Sequence, residues 1–344
     1  MKISRKANKY KQKPSKYAVA KIDMKDRRLL SEMDMDAKAP MKALARRCRL
    51  SRQVADYRLR RLREQGVAFG ALTIFDSAVA GYKWYRVLLS LNKISVGQKG
   101  DLLGYLKNHR FVFWLGEVGG NWDIVVNFVC RDHFHFNSIF EEMMQKHGQF
   151  VKRHEILIYI DVHDMPRAYL LPTDSPRMEF YHAMKPNSSL VLDNVDKGII
   201  RILGKDASAS ATYISEKIGA SPQTVNARVA KMLLAKFILG FRLFINPSAL
   251  GYQSHMVFFE MNRIEPESEK TFVNYLKGVP NVTFIVRHLG KWRIGLEIET
   301  RTQEEFQDIF VRIRTKFAGL IDGFESFPLF RDHVIDYFPE GNFD

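Results

Sequence analysis

Shifted by 170 residues, the chain lies on itself. Asp23 falls on Asp193, and the match runs without a gap to Tyr82 on Tyr252, with eleven identities in sixty positions. The same offset pairs Gly120 with Gly290, Trp122 with Trp292 and His163 with His333. A repeat this long is a tandem duplication of one two-part unit, and it requires at least two domains of each kind. Between the copies lies "PRAYLLPTDSPRMEFYHAMKP", where four of the chain's twelve prolines fall within 21 residues. Proline density of this kind predicts a linker over residues 166–190.

Each unit opens with a helical third. "KDRRLLSEM" spaces Leu29, Leu30 and Met33 for one helix face, and "MKALARRC" does the same with Met41, Leu44, Ala45 and Cys48. In the second copy the break before the third helix is explicit. Gly219 suits a left-handed helix terminus, Ser221 an N-cap and Pro222 the first turn. On that third helix Ala55, Leu59 and Leu62 share a face, as do Val225, Val229 and Met232. Gln53, Tyr57, Arg60 and Arg61 then face away from the stripe, with Arg52 and Arg58 on its flanks. A basic, hydrogen-bonding face on the second helix of a helix-turn-helix is suited to the DNA major groove, where arginine grips guanine bidentately.

The charge distribution points the same way. Residues 1–68 hold 21 Lys plus Arg against 7 Asp plus Glu, so +14 of the net +15 is N-terminal. The first 22 residues carry eight basic and no acidic side chains, and residues 1–20 read as a basic disordered arm able to neutralise phosphates. Two cysteines, Cys48 and Cys130, are too few for a disulfide framework or a zinc knuckle. No run is long and apolar enough to cross a bilayer, and no signal-peptide pattern precedes the arm, so the cytoplasm is the expected compartment.

"IDMKDRRLLSEMDMDAKAPMKALARRCRLSRQVADYRLRRLREQGVAFG" and "LDNVDKGIIRILGKDASASATYISEKIGASPQTVNARVAKMLLAKFILG" resemble the N-terminal half of leucine-responsive (Lrp/AsnC) transcription regulators. The opening Asp pair, the mid-unit Ser, the Arg seven later and the closing Gly form an ordered set that occurs twice. The resemblance implies a winged helix-turn-helix over 21–68 and again over 191–240. Its DNA-binding residues would be Ser51, Arg52, Gln53, Tyr57, Arg58, Arg60 and Arg61 in the first head. In the second they would be Ser221, Gln223, Thr224, Asn226, Arg228 and Lys231.

The remainder of each unit reads as βαββαβ, a ferredoxin-like sandwich, over 69–165 and 241–338, leaving 339–344 as a tail. The fold class expected is therefore α+β. In the family this half pairs subunits and can bind an effector such as an amino acid at a contact between them. The family's glycine turn appears as "GGNWDI" and "LGKWRI", which makes Gly120, Trp122, Asp123, Gly290 and Trp292 effector-site candidates, although Arg293 replaces the second acidic residue. Packing is the competing role for both tryptophans.

One chain with two heads and two sandwiches can act as a pseudo-dimer, or associate further as a homo-oligomer. The heads differ, since "SRQVADYRLRRLR" carries five arginines where "SPQTVNARVAKML" has only Arg228 and Lys231 as basic residues. Double-stranded DNA is the expected partner, with no membrane, metal or cofactor and no enzymatic activity. His133 and His135 are two apart, which cannot converge on one ion from a helix, and Asp132 reads as a cap. No Walker A, nucleophile elbow or paired-carboxylate motif occurs. Two alternatives stay open. Siroheme and haem-precursor decarboxylases also resemble Lrp/AsnC proteins, and "FDSAVAGYKW" is mildly similar to their corresponding stretch; His288 and nearby arginines would then hold tetrapyrrole carboxylates. The other is an architectural DNA binder of little sequence preference.

Overall fold

The computed structural model describes residues 19–171, 178–186, 190–261 and 265–343. Most of the basic arm lies outside them, as does part of the predicted linker. The first head contains α1 (Met24–Met35), α2 (Met41–Arg47) and α3 (Arg52–Glu64), followed by β1 (Ala68–Phe75). Its sandwich contains β2 (Lys83–Leu91), α4 (Val96–Asn108), β3 (Val112–Val118), β4 (Ile124–Cys130), α5 (His133–His147) and β5 (Val151–Asp164). After a short β6 (Phe180–His182) the plan repeats with α6 (Asn194–Lys205), α7 (Ala211–Ile218), α8 (Pro222–Leu234) and β7 (Ile238–Ile245). The second sandwich is β8 (Gln253–Met261), α9 (Pro266–Lys277), β9 (Val282–Leu289), β10 (Ile294–Thr300), α10 (Gln303–Lys316) and β11 (Ile321–Ile335).

The recurring identities explain the start of each head. Asp23 and Asp193 are N-caps in full capping boxes, with Asp26 and Asp196 returning the bond at the third helical position. Each pair also takes up an arginine from the third helix. Arg58 Nη1 lies 2.8 Å from both Asp23 Oδ1 and Asp26 Oδ1, and Arg228 Nη1 lies 2.8 Å from Asp193 Oδ2 and 3.2 Å from Asp196 Oδ2. The turn into the third helix needs a left-handed residue in both copies. Gly219 supplies it at φ 70°, but the first copy uses Arg49 at φ 56°. At the helix exit the roles reverse, with Gly66 at φ 69° and Lys236 at φ 61°. The backbone frame survived duplication better than the residues suited to it.

The two units are interlocked. β1 pairs antiparallel with β7, so the strand that closes each head lies beside the other's. The helices then pack across the pseudo-twofold. Leu29, Leu44, Leu59 and Leu62 of the first head share a core with Leu243, Ile245 and Leu250, and Phe75 and Val79 join the core of the second head with Ile199, Leu203 and Met232.

The sandwiches share strands in the same way. Residues 151–158 of β5 pair with β2 of their own unit, after which the strand crosses and pairs with β9 of the other. β11 runs along β8 and then along β3. The result is a closed ring in the order β2-β4-β3-β11-β8-β10-β9-β5, with β5 returning to β2 and β6 attached outside on β5. Helices α4, α5, α9 and α10 cover the outer faces over two separate apolar cores. The inner faces meet in a third core built by Leu88, Trp122, Val125, Leu157, Met256, Phe258, Trp292 and Phe327.

The predicted linker is more structured than its prolines suggested. Tyr169 and Leu170 are buried under the first head, and β6 adds a strand to the ring with Phe180 and His182 buried. Apolar and aromatic side chains within the segment outweigh proline once a groove between heads and ring exists to receive them.

Candidate nucleic-acid interface and inter-sheet chamber

Both third helices begin on a serine cap. Ser51 Oγ accepts from Val54 N at 3.3 Å, and Ser221 Oγ accepts from Thr224 N at 3.0 Å. Thr224 Oγ1 rests 2.9 Å from Ser221 Oγ, so this pair serves the helix start. The inward stripe is Ala55, Leu59 and Leu62 in α3, and Val225 and Met232 in α8. Arg52, Gln53, Tyr57 and Arg60 are exposed on α3, and Gln223, Asn226 and Lys231 on α8. Arg52 also makes an exposed pair with Asp56 at 3.6 Å, one turn along.

Three predicted DNA contacts are engaged elsewhere. Arg58 and Arg228 are pins between the third helix and the first, and Arg61 is drawn to Asp26 as well. The arginine shared by the two copies, at 58 and 228, makes the same contact in both heads. Asp23 is held below the usual carboxylate range: burial pushes its pKa upward, and the Asp26 backbone N–H and the Arg58 guanidinium outweigh it.

The glycine-turn candidates do not gather into an open pocket. Trp122 and Trp292 are buried against each other, ring centroids 5.8 Å apart and nearly perpendicular. Trp122 Nε1 donates to Glu325 Oε2 at 2.6 Å, and Asp123 Oδ2 accepts from Leu91 N at 2.8 Å. Gly120 (φ 76°) and Gly290 (φ 139°) make the turns beside them. Both tryptophans belong to the core between the inner sheet faces. His135 Nδ1 accepts from Arg131 N, and Asp132 caps α5 through His135 N at 2.8 Å. Among the described residues no cluster of His, Cys, Asp or Glu is arranged to hold a metal.

A cavity of about 120 Å³ lies inside the ring, roofed by β1 and β7. The pleat of β2 sends Trp84, Arg86 and Leu88 inward and Tyr85, Val87 and Leu89 toward the helices. Arg86 is buried, donating from Nε to Asn127 Oδ1 at 3.1 Å, with Nη1 3.5 Å from His288 Nε2. Its guanidinium also sits over the rings of Tyr159 and Phe258, at 5.0 and 5.6 Å. His288 is fully buried and held well below its ordinary pKa, by burial first and then by the Arg86 and Arg293 charges. His182 lines the cavity between Trp84 and Tyr337, and neither ring nitrogen has a partner among the described residues.

The cavity's opposite wall is a buried ionic hub that sequence reading missed. Arg242 of β7 binds Asp34 of α1 at 2.8 Å and also Asp164 at the end of β5. Arg167 reaches Asp34 at 3.4 Å and Glu299 of β10 at 3.0 Å, and Tyr337 donates to Asp164 at 3.1 Å. Burial works to raise the Asp34 pKa, but Arg242 and then Arg167 overrule it and keep it below the usual range. Nothing periodic links residues this far apart. Arg86 was the findable one, an arginine in phase with the inward residues of an otherwise apolar strand.

Comparison with known proteins agrees with this architecture. Residues 22–67 match the winged helix-turn-helix DNA-binding family, and residues 192–233 match the AsnC-type helix-turn-helix domain. The HTH-type transcriptional regulator FL11 of Pyrococcus furiosus is 26% identical over 136 residues, covering 40% of this chain and 85% of that protein. Regulatory protein AsnC of Escherichia coli is 26% identical over 121 residues, covering 35% and 79%. The siroheme decarboxylase NirDL resembles the chain in fold across 93% of this chain and 96% of its own, with a TM-score of 0.59 at 14% identity. NirDL has also been solved in complex with an iron-uroporphyrin III analogue.

Two helix-turn-helix heads, each followed by β-α-β elements, define a fused tandem protein of the α+β class. The chain carries two Lrp/AsnC-type helix-turn-helix domains in that tandem arrangement.

Proposed function

We propose that the chain binds duplex DNA through two unequal heads and acts as a transcriptional regulator. One observation carries this reading: both third helices are capped, pinned from behind, and present polar faces to solvent. Arg52, Gln53, Tyr57 and Arg60 form the stronger face, and Gln223, Asn226 and Lys231 the weaker. The preferred site is accordingly asymmetric, with half-sites roughly one helical turn (~34 Å) apart. Selection from a random duplex pool, followed by a salt series on the selected site, tests it. A perfect palindrome, or no retention of any duplex at low ionic strength, would overturn it.

A second reading, a siroheme-type decarboxylase, is favoured by a broader likeness. NirDL corresponds to nearly the whole chain, whereas each regulator corresponds to about one unit. Arg86 and His288 inside the ring are of the types that would hold a carboxylate. A cavity of about 120 Å³ has room for a small molecule only, so a macrocycle would require the two sheets to part. Incubation with siroheme decides between the two. Loss of carboxyl groups by mass spectrometry supports the enzyme, and an unchanged substrate beside a salt-sensitive shift of selected DNA supports the regulator.

A further inference from the structure

We propose that the chamber inside the ring is a binding site for a small carboxylate, anchored on Arg86. A guanidinium stays charged in any protein environment, and a buried charge without a counter-ion is costly. The other arginines of this interior have answered that cost: Arg167 and Arg242 each hold two carboxylates. Arg86 has none within ion-pairing distance among the described residues, only an amide oxygen, a neutral imidazole, the Tyr159 hydroxyl and two ring faces. Glu297, whose charge Arg86 also feels, is driven up to about 8 by burial and by Asp332 and Glu299 beside it.

His182 is an independent second sign. It is fully buried, it lines the same cavity, and both its nitrogens are bare. Burial, followed by the His163 charge, lowers its pKa to about 3, so it presents one donor and one acceptor. A carboxylate on Arg86 with a further polar edge toward His182 would satisfy both.

The walls and the volume set the rest of the ligand. Trp84, Phe113, Tyr159 and Phe284 make one side of the lining aromatic, Arg167, Arg242 and Glu299 of the hub line the other, and about 120 Å³ is the available space. An apolar cavity of ~150 Å³ takes up benzene, so the occupant of this somewhat smaller space has about six non-hydrogen atoms. A small branched aliphatic acid fits this description. The site lies away from the glycine turns, and it stands whichever function the heads serve.

The test is calorimetric titration of the full-length protein with sodium acetate, isovalerate, benzoate and phenylacetate at constant ionic strength, with chloride as the blank. At least one is expected to bind once per chain, with affinity reduced tenfold or more by Arg86→Met and partly restored by Arg86→Lys. Without ligand, Arg86→Met should melt at the same temperature as the parent or above it, because an unanswered charge has gone. Failure of all four acids to bind in an Arg86-dependent way would overturn the proposal. A large fall in the melting temperature of ligand-free Arg86→Met would do so too, since Arg86 would then be structural. Displacement of the bound acid by iron-uroporphyrin would overturn the size assignment and favour the enzyme reading. A DNA shift unchanged in Arg86→Met keeps failure here separate from failure of the heads.

Discussion

The two heads sit on the same backbone frame and are fastened to it by opposite chemistry. The first is held by the hub of Asp34, Arg242, Asp164, Arg167 and Glu299. At the positions related by the repeat the chain has Gly204, Leu72, Val334, Tyr337 and Val129, with no charge at all. The second head is fastened instead by an aromatic cluster, in which Phe338 lies 5.9 Å from Phe75, 5.4 Å from Phe237 and 5.1 Å from Phe343. Duplication supplied two equal sockets, and divergence filled one with ions and the other with rings. A buried ionic network tolerates the loss of any member badly, whereas an apolar one degrades in proportion to the volume removed.

The largest effect should follow from Arg242→Leu, which leaves Asp164 buried without a cation and Asp34 with Arg167 alone. Urea denaturation should show a loss of about 4–5 kcal/mol. A loss under about 1 kcal/mol would mean that the hub contributes no more than a surface pair. Phe338→Ala on the opposite side should cost about 3 kcal/mol by the same measurement, without the abrupt penalty of a stranded charge.

Asp34 on one side and Asp336 on the other should also respond to pH in opposite senses. Asp34 has a depressed pKa, so its contribution is present above the unfolded value and is lost as pH falls through the folded one. Asp336, next to the aromatic cluster, is raised by burial to about 6. Its contribution is full below the unfolded value of 3.8 and is lost as pH rises through 6. Asp336→Asn should therefore raise the melting temperature at pH 7 by on the order of 2 °C and leave it unchanged at pH 4. An equal effect at both values would remove protonation from the explanation.

Smaller differences sharpen the comparison at the backbone and at the DNA face. Arg49→Gly in the first head and Lys236→Gly in the second relieve left-handed residues where the other copy already has glycine. Each should gain about 1 kcal/mol in chemical denaturation, and a loss in either would point to a side-chain role. The third-helix position occupied by Arg60 is Ala230 in the second copy. Arg60→Ala should reduce the log–log salt slope of DNA binding by about 0.9, and Ala230→Arg should increase it by as much. Equal slopes in both variants would mean that neither position meets a phosphate.

Local physics was legible in the sequence, and long-range pairing was not. The capping aspartates, Ser51, Ser221 and the apolar stripes of the third helices each depend on neighbours within a turn or two, and the repeat made them visible twice. The ion pairs of Arg58 and Arg228 were not legible, because an outward-flanking arginine looks the same whether or not a carboxylate 32 residues away in its own head reaches it. The crossing of β5 and β11 could not be read either. Each is a continuous alternating strand, and nothing in the alternation marks where its partner changes. The hub joins residues from 34 to 299, and its members acquire meaning only once the units interlock.

That crossing has a consequence for how the molecule behaves in a mixture. Two separate polypeptides sharing strands in this manner would come apart on dilution and could trade halves with any similar chain made in the same cell. Here each half is permanently at the effective concentration its tether imposes. The pairing of an arginine-rich head with an arginine-poor one is thus fixed at synthesis, insensitive to expression level and closed to substitution by a paralogue.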